Sequence, residues 1–270
     1  MAAVELGERL AGLSLGRSTP ATVRVTGLAR VFGDRPVLDD LDLEVAPGEI
    51  VAILGASGSG KSTLLRIVGG LDAPTAGTVE IDGHVVRGID DRVAIGFQEP
   101  RLLPWRTVAD NVAYGLPSRI ARDAGRARVA ALLELVGLAD FAGHRPGAIS
   151  GGMAQRTSLA RALARDPGVL LLDEPFGALD ALTRMRMQDL LLGVLDTAPT
   201  TVLLVTHDVE EALQLADRVV LLGTEPDRAG ARIQQIVTVP GERPRDRGSA
   251  ELAELRAELL AGLGIDRHAH

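Results

Sequence analysis

A glycine-rich octapeptide in the first quarter of the chain has the composition of a phosphate-binding loop. It matches the pattern G-x-x-x-x-G-K-[ST], follows an apolar run that ends at Leu54, and leads into a helical segment that begins at Thr63. Glycines let successive backbone N–H groups curl around a polyphosphate, and the N-terminus of the following helix adds partial positive charge. The loop consists of Gly55, Ala56, Ser57, Gly58, Ser59, Gly60, Lys61 and Ser62.

Two side chains of this loop suit a nucleoside triphosphate and its metal ion. We expect Lys61 to bridge the β- and γ-phosphates and Ser62 to offer its hydroxyl to Mg²⁺, with Thr63 completing the site. The alternative is an ordinary Gly/Ser turn before a helix. Placement between an apolar strand and a helix favours the phosphate loop.

Two adjacent carboxylates follow a second apolar run. Asp173 and Glu174 come directly after Val169–Leu172, and open α/β sheets bind ligands at the carboxyl ends of their strands. We expect Asp173 to hold Mg²⁺, in part through water, and Glu174 to polarise the attacking water. Alone, the segment is equally compatible with a strand leaving the core. Together with Lys61 it predicts the second half of an ATPase site.

A third segment resembles the signature of the ABC transporter ATPases, Leu-Ser-Gly-Gly-Gln and its variants. In this chain it consists of Ile149, Ser150, Gly151, Gly152, Met153, Ala154, Gln155 and Arg156. Ser150 can cap a helix, and Gly151 and Gly152 leave the N–H groups clear of side chains. The resemblance implies that they contact the γ-phosphate of ATP held by a second copy of the chain. Ile149 and Met153 depart from the usual Leu and Gln; without the resemblance, a plain helix start is the alternative.

Four more residues match elements of the same family in the expected order. The resemblance implies that Gln98 senses Mg²⁺ and water, that His207 contacts the γ-phosphate, and that Asp180 lies at a dimer interface. Phe32 fits the position whose ring stacks on adenine. The alternatives are a surface amide for Gln98, a strand-end turn for His207, a helix cap for Asp180 and core packing for Phe32. Their order along one chain favours the family.

Two longer segments resemble one branch of the family, the nitrate, taurine and aliphatic-sulfonate importers. They are Gln98–Val108 and Pro175–Arg184, and the turn Pro240–Arg247 is also similar to the C-terminal region of that branch. This resemblance implies uptake of a small anion, with an aliphatic sulfonate first and taurine or nitrate next. It also places Trp105 near the groove that receives a permease helix, although core packing is an alternative.

The resemblance further implies how the chain assembles. It implies a homodimer that encloses ATP and Mg²⁺, integral membrane permease subunits, and indirectly a periplasmic or lipid-anchored substrate-binding protein, with the chain peripheral on the cytoplasmic face of the membrane. One alternative is a soluble ABC ATPase that acts on a macromolecule, and another is a P-loop kinase. Soluble ABC ATPases usually carry long coiled coils or zinc fingers, and we find neither pattern in this sequence. In a P-loop kinase the segment at Ser150 would have no role in the chemistry.

The elements that must position these residues follow an α/β pattern. Short β-branched runs alternate with helical patterns, and the resemblance implies a P-loop NTPase (RecA-like) fold with a mainly parallel sheet, an N-terminal antiparallel β part and an inserted helical subdomain. The runs Val169–Leu172 and Val202–Val205 are continuously apolar, which predicts central parallel strands buried on both faces. The expected strands are Thr22–Gly27, Glu49–Leu54, Thr78–Ile81, Arg92–Phe97, Gly168–Leu172, Thr201–Thr206, Arg218–Leu222 and Ile233–Val239.

We therefore predict three parts of the chain. Residues 1–21 form a flexible N-terminal extension, residues 22–245 the ATPase domain, and residues 246–270 a C-terminal helical tail. Within the domain, helical spacing replaces the strand pattern between about 102 and 164, which predicts the helical subdomain.

Composition excludes several other classes of protein. The net charge of −7 argues against a general nucleic-acid binder, because phosphate backbones need a concentrated basic surface. The absence of cysteine excludes disulfides and thiolate zinc sites. The longest apolar runs are far shorter than the ~20 residues of a membrane-spanning helix, and we find no signal-peptide pattern, so a cytoplasmic protein is expected.

Overall fold

The structure is a computed structural model that describes residues 19–225 and 228–264. Most of the predicted N-terminal extension, residues 1–18, and the last six residues of the predicted tail lie outside the described residues. The chain divides into two compact units. We call Ala21–Asp90 together with the residues from Thr201 onward the P-loop unit, and Asp91–Thr200 the inserted unit.

Eight strands of the P-loop unit hydrogen-bond side by side in the order β5-β4-β1-β2-β10-β9-β3-β8. The strands are β1 (Val23–Phe32), β2 (Arg35–Val45), β3 (Ile50–Leu54), β4 (Ala76–Ile81), β5 (His84–Val85), β8 (Thr201–Val205), β9 (Arg218–Thr224) and β10 (Ala231–Thr238). Strand β3 is parallel to both β8 and β9, whereas β1 is antiparallel to β2 and β4. The predicted antiparallel N-terminal part is thus present.

Strand β2 was not among the predicted strands, although apolar residues alternate with the acidic residues Asp40, Asp42 and Glu44 near its end. Their exposed side chains alternate with Leu41, Leu43 and Val45, which are buried, so the strand has one core face and one polar face. Asp40 has a positive φ of 52° at an irregularity in its pairing with β1, which also breaks the regular alternation.

The described residues of the P-loop unit form three helices: α1 (Lys61–Val68), α6 (Val209–Leu215) and α7 (Ala250–Gly262). Helix α7 was predicted from the sequence and packs against α6. Arg256 of α7 forms an ion pair with Glu210 of α6. The C-terminal helix therefore braces the helix that follows His207.

The inserted unit combines two parallel strands with four α-helices and two 3-10 helices, Ala139–Phe141 and Pro146–Ala148. Its strands β6 (Val93–Gly96) and β7 (Val169–Asp173) pair in register, and every residue of β7 is buried, as the apolar run predicted. The α-helices are α2 (Val108–Ala113), α3 (Arg122–Leu135), α4 (Gly151–Ala164) and α5 (Ala181–Thr197). Helices and turns fill residues 102–164, all of which the structure describes; the boundaries of a separate subdomain stay a prediction.

No helix within residues 19–225 and 228–264 is both long and apolar enough to cross a bilayer.

Candidate nucleotide site

The octapeptide Gly55–Ser62 connects β3 to α1 as the motif requires. Gly58 and Gly60 adopt φ values of 80° and 88°, in the left-handed region that side chains disfavour. Gly60 is also the N-cap of α1, where no side chain caps the helix and no acidic residue lies in the first turn. The first N–H groups of α1 thus face a loop of small residues, which suits an anion.

Gly60 has a second, steric reason to be glycine. A Cβ atom built there would lie 2.6 Å from Leu38 Cδ2 and 3.2 Å from the carbonyl oxygen of Val37. A Cβ atom at Gly58 would meet nothing within 4 Å. The two positions share a backbone conformation, but only Gly58 has room for a side chain.

This contrast predicts the result of two alanine substitutions. Both Gly58→Ala and Gly60→Ala place a side chain at positive φ, which costs roughly 1–2 kcal/mol; Gly60→Ala adds overpacking against β2, which costs roughly 1–3 kcal/mol more. Urea unfolding of both variants measures the difference. Equal midpoints would show that the contact with Leu38 is not a constraint.

Lys61 supplies a buried positive charge at the loop. Of the 29 lysine and arginine residues of the chain, Lys61 is the only lysine. It is 7% exposed, and its Nζ donates to the carbonyl oxygens of Gly55 at 2.8 Å and Ala56 at 2.9 Å. Ser59 Oγ is buried and has no hydrogen-bond partner among the described residues. A buried ammonium, a buried hydroxyl and an uncapped helix N-terminus together fit a polyphosphate.

Phe32 ends β1 in the same unit, and one face of its ring is covered. The guanidinium carbon of Arg30 lies 4.2 Å from the ring centroid, and Arg30 is itself paired with Asp72 at 2.8 Å. Phe32 nevertheless stays 46% exposed. A ring that is fixed by a cation and still open to solvent suits a flat ligand better than core packing does.

His207 lies at the same edge of the P-loop unit as the phosphate loop. Strands β3 and β8 are parallel, with Ile53 opposite Val205, so the segments after both strands begin side by side. Asp208 fixes the following turn, since its Oδ1 accepts the N–H groups of Glu210 at 2.9 Å and Glu211 at 3.3 Å. His207 is exposed between the strand end and this helix cap.

In the inserted unit, Gln98 and Glu174 are brought together although 76 residues separate them. Gln98 Nε2 donates to Glu174 Oε2 at 3.0 Å, because each residue follows one of the paired parallel strands β6 and β7. Glu174 has a φ of 46°, a conformation that costs free energy for a residue with a Cβ and that is concentrated at functional sites. Asp173, the last residue of β7, is 6% exposed.

Ser150 caps helix α4, as its sequence position predicted. Its Oγ accepts the N–H of Met153 at 3.3 Å, while Gly151 and Gly152 form the first turn. A Cβ atom at Gly151 would point into open space, and one at Gly152 would lie 3.2 Å from Leu179 Cδ2. The start of α4 therefore presents backbone rather than side chains.

Asp180 caps the next helix, α5. Its Oδ1 accepts the N–H of Thr183 at 3.0 Å, and hydrogen bonds from Thr183 lower the pKa of the Asp180 carboxyl. The residue is exposed. The helix-cap alternative of the sequence analysis is thus present in the structure, and a role at a dimer interface stays a prediction.

The expected Mg²⁺ ligands do not form a site in which protein side chains alone surround the ion. Among residues 19–225 and 228–264, no cluster of three His, Cys, Asp or Glu side chains could hold a metal ion. Mg²⁺ is usually bound through one or two protein groups together with substrate phosphates and water. The buried carboxylate of Asp173 in the inserted unit and the hydroxyl of Ser62 in the P-loop unit are each a type of group that suits this mode of binding.

Two residues near these were given no role of their own by the sequence: Gln155, which is buried, and Arg161, which is half-buried. Gln155 and Arg161 of α4 both donate to backbone carbonyls of the segment that contains Gln98. Nothing in the spacing of residues along α4 identifies the acceptors of these two side chains.

Comparisons with known proteins agree with this geometry. The sequence pattern of the family described as "ABC transporter" matches residues 38–177. Two similar relatives are named aliphatic sulfonates import ATP-binding protein SsuB 1: that of Xanthomonas axonopodis pv. citri is 52% identical (86% of this chain, 92% of that protein), and that of Rhodococcus jostii is 52% identical (88% and 92%).

Two solved structures share the fold. The dimeric ATP-binding cassette MJ0796 bound to ADP and Pi matches with a TM-score of 0.71 and 32% identity, and another dimeric structure of MJ0796, a bacterial ABC transporter cassette, with 0.72 and 30%. Each match covers 82% of this chain and 100% of the other. The predicted P-loop NTPase fold is therefore confirmed, and the chain belongs to the ABC transporter family, among its ATP-binding and ATP-hydrolysing proteins.

Proposed function

We propose that this chain is the ATPase subunit of an importer for aliphatic sulfonates, with taurine and nitrate as the next candidate substrates. The observation that carries the proposal is the 52% identity with a protein named for sulfonate import, over 92% of that protein's length. The matched part covers 86% of this chain.

The residues of the P-loop unit bind the nucleotide in this proposal. The N–H groups of Gly55–Thr63 surround the phosphates, Lys61 neutralises the β- and γ-phosphates, and Phe32 stacks on adenine. Lys61 is preorganised for this contact, because the Gly55 and Ala56 carbonyls already hold its ammonium at the loop.

Hydrolysis is assigned to residues of both units. Glu174 polarises the attacking water and Gln98 orients it, which their hydrogen bond at 3.0 Å supports. His207 contacts the γ-phosphate. Mg²⁺, when bound by Ser62, Asp173 and Gln98, neutralises charge on the phosphates.

The signature residues are assigned to a second copy's nucleotide. Both similar solved structures are described as dimeric, and Ser150, Gly151 and Gly152 present an uncluttered helix N-terminus that can face a phosphate across an interface. Asp180 lies at that interface. The domain limits 22–245, with a helical subdomain at about 102–164, belong to the same proposal.

The remaining partners follow from import. The dimer binds integral membrane permease subunits on the cytoplasmic face, and these receive substrate from a substrate-binding protein. Co-purification from membranes with a permease, followed by ATP-dependent uptake of an alkyl sulfonate into vesicles that hold the complex, tests the proposal. Recovery on ribosomes or DNA, with no permease, would favour the soluble ABC ATPase instead.

Ser150→Arg tests whether the site is shared between copies. The substituted side chain would block the helix N-terminus, so we expect ATP hydrolysis to fall about 100-fold, while ATP affinity of the monomer stays within about twofold. Loss of the Ser150 cap costs only about 1 kcal/mol, so the fold should persist.

Mixing the variants gives the matched control. A dimer of one Ser150→Arg chain and one Lys61→Ala chain retains one site with both halves intact, and mixing should restore part of the hydrolysis. An equal loss of monomer ATP affinity in both variants would contradict a shared site.

A further inference from the structure

Two side chains of helix α4, whose N-cap is Ser150, donate hydrogen bonds to backbone carbonyls of residues 97–101. The two side chains involved are Gln155, which is 4% exposed, and Arg161, which is half-buried. The bonds run from Gln155 Nε2 to Phe97 O at 3.3 Å, from Arg161 Nη2 to Pro100 O at 2.7 Å, and from Arg161 Nη1 to Arg101 O at 3.0 Å. Gln98 lies inside the segment held at these three points.

The held segment is strained. Arg101 has a φ of 44°, and its guanidinium carbon lies 4.4 Å from the centroid of the Phe97 ring. A non-glycine residue persists in this conformation only when its surroundings fix it. Arg161 binds the carbonyl of the strained residue and that of the residue before it, so it contributes directly to that fixation.

The segment continues into an exposed loop that carries Trp105. Trp105 is 67% exposed, and the loop before it is tied to helix α2, since Leu103 N–H donates to Asn111 Oδ1 at 2.8 Å and Asn111 Nδ2 donates back to Leu103 O at 3.2 Å. Asn111 is fully buried. A force on the loop therefore passes to α2 through Asn111 and to α4 through Arg161.

Resting on the proposed function, we propose that Arg161 and Gln155 are positioning residues that make the Gln98 segment and the signature helix move as one body. A membrane partner that displaces the loop around Trp105 would then shift Gln98 and Ser150 together. The link acts on the timing of hydrolysis and not on the ATP affinity of the monomer, because Arg161 lies on a helix that holds no residue of the phosphate loop.

The first experiment measures the link in the isolated chain. Trp105 is the only tryptophan, so time-resolved fluorescence anisotropy reports its loop alone. We expect Arg161→Met to increase the amplitude of nanosecond depolarisation about twofold. Arg165→Met is the matched control: Arg165 ends the same helix but donates to Asp91, and the amplitude should not change. Equal amplitudes in both variants would overturn the link.

The second experiment measures coupling in the complex with its permease in vesicles. For Arg161→Met we expect the KM for ATP to stay within about twofold while sulfonate transported per ATP hydrolysed falls at least about fivefold; a merely structural defect would lower transport and hydrolysis in proportion. Proportional loss, or a ratio equal to that of Arg165→Met, would overturn the proposal.

The variant Arg161→Lys and the behaviour of the unaltered complex distinguish a failure of the Arg161 link from a failure of the proposed function. Arg161→Lys retains the charge but reaches fewer carbonyls, and it should give an intermediate ratio if Arg161→Met does not fold. If the unaltered complex hydrolyses ATP but moves no sulfonate, the proposed function fails, and the Trp105 anisotropy alone decides the link.

Discussion

Lys61→Ala is expected to weaken ATP binding by about 100-fold or more and to remove ATP hydrolysis. Each hydrogen bond from the ammonium to a phosphate oxygen contributes about 1.5–3 kcal/mol, and a loss of about 2.7 kcal/mol is a factor of about 100. Isothermal titration with ATP measures the affinity. The substitution also removes the donor to the carbonyls of Gly55 and Ala56; this loss costs roughly 1–3 kcal/mol for a buried acceptor, which is less than the roughly 5–15 kcal/mol of a typical folded protein, so the chain should stay folded.

Arg66→Ala is the matched control for this variant. Arg66 lies in the last turn of the same helix and is exposed, so its loss changes the net charge equally without affecting the phosphates. Because Lys61 is the only lysine, an amine-selective reagent offers a second test: ATP should protect the side chain from modification. Unchanged ATP affinity of Lys61→Ala would remove the assignment of this loop.

Glu174→Gln is expected to lower ATP hydrolysis by about 10²–10⁴-fold while leaving ATP binding intact. The amide keeps the size of the side chain, and its oxygen can still accept the hydrogen bond from Gln98, but it cannot polarise water as a carboxylate does. Glu99→Gln makes the same charge change at an exposed neighbour of Gln98 and should leave hydrolysis within about twofold.

Blocked hydrolysis should also accumulate the dimer. If each ATP bridges two chains, a ligand bound only in the dimer stabilises it by RT ln(1 + [L]/Kd), about 2.7 kcal/mol per site at a hundredfold excess over Kd. Light scattering of Glu174→Gln in ATP and then in ADP, at low Mg²⁺, measures the mass. The same mass in both nucleotides would mean that ATP does not close this dimer without its permease, or that Glu174 is not the catalytic carboxylate.

The sequence determined the phosphate loop, the buried strands and the family. These features depend on residues that are close together in the sequence. They are the left-handed φ of Gly58 and Gly60, the apolar run of the buried strand β7, and the serine that caps α4. Each can be recognised from residue type and spacing, because the physics acts over a few residues.

Other features of the fold and site were missed or depend on packing. Strand β2 was not among the predicted strands, although Leu41, Leu43 and Val45 alternate with acidic residues as in a half-buried strand; which neighbour covers its apolar face depends on packing. The sequence indicated Phe32 as a candidate but gave no sign of the guanidinium of Arg30 over the ring. In both cases the deciding contact comes from the packing of side chains.

Only the tertiary structure decided which distant residues touch. The hydrogen bond between Gln98 and Glu174 exists because β6 and β7 pair in parallel and in register, and a slip of one residue would turn each side chain to the other face of the sheet. The hydrogen bonds from Arg161 to the carbonyls of Pro100 and Arg101 join residues about sixty positions apart in the chain. Such contacts depend on register and helix packing, which residue spacing leaves open, and they are what joins separately recognisable motifs into one site.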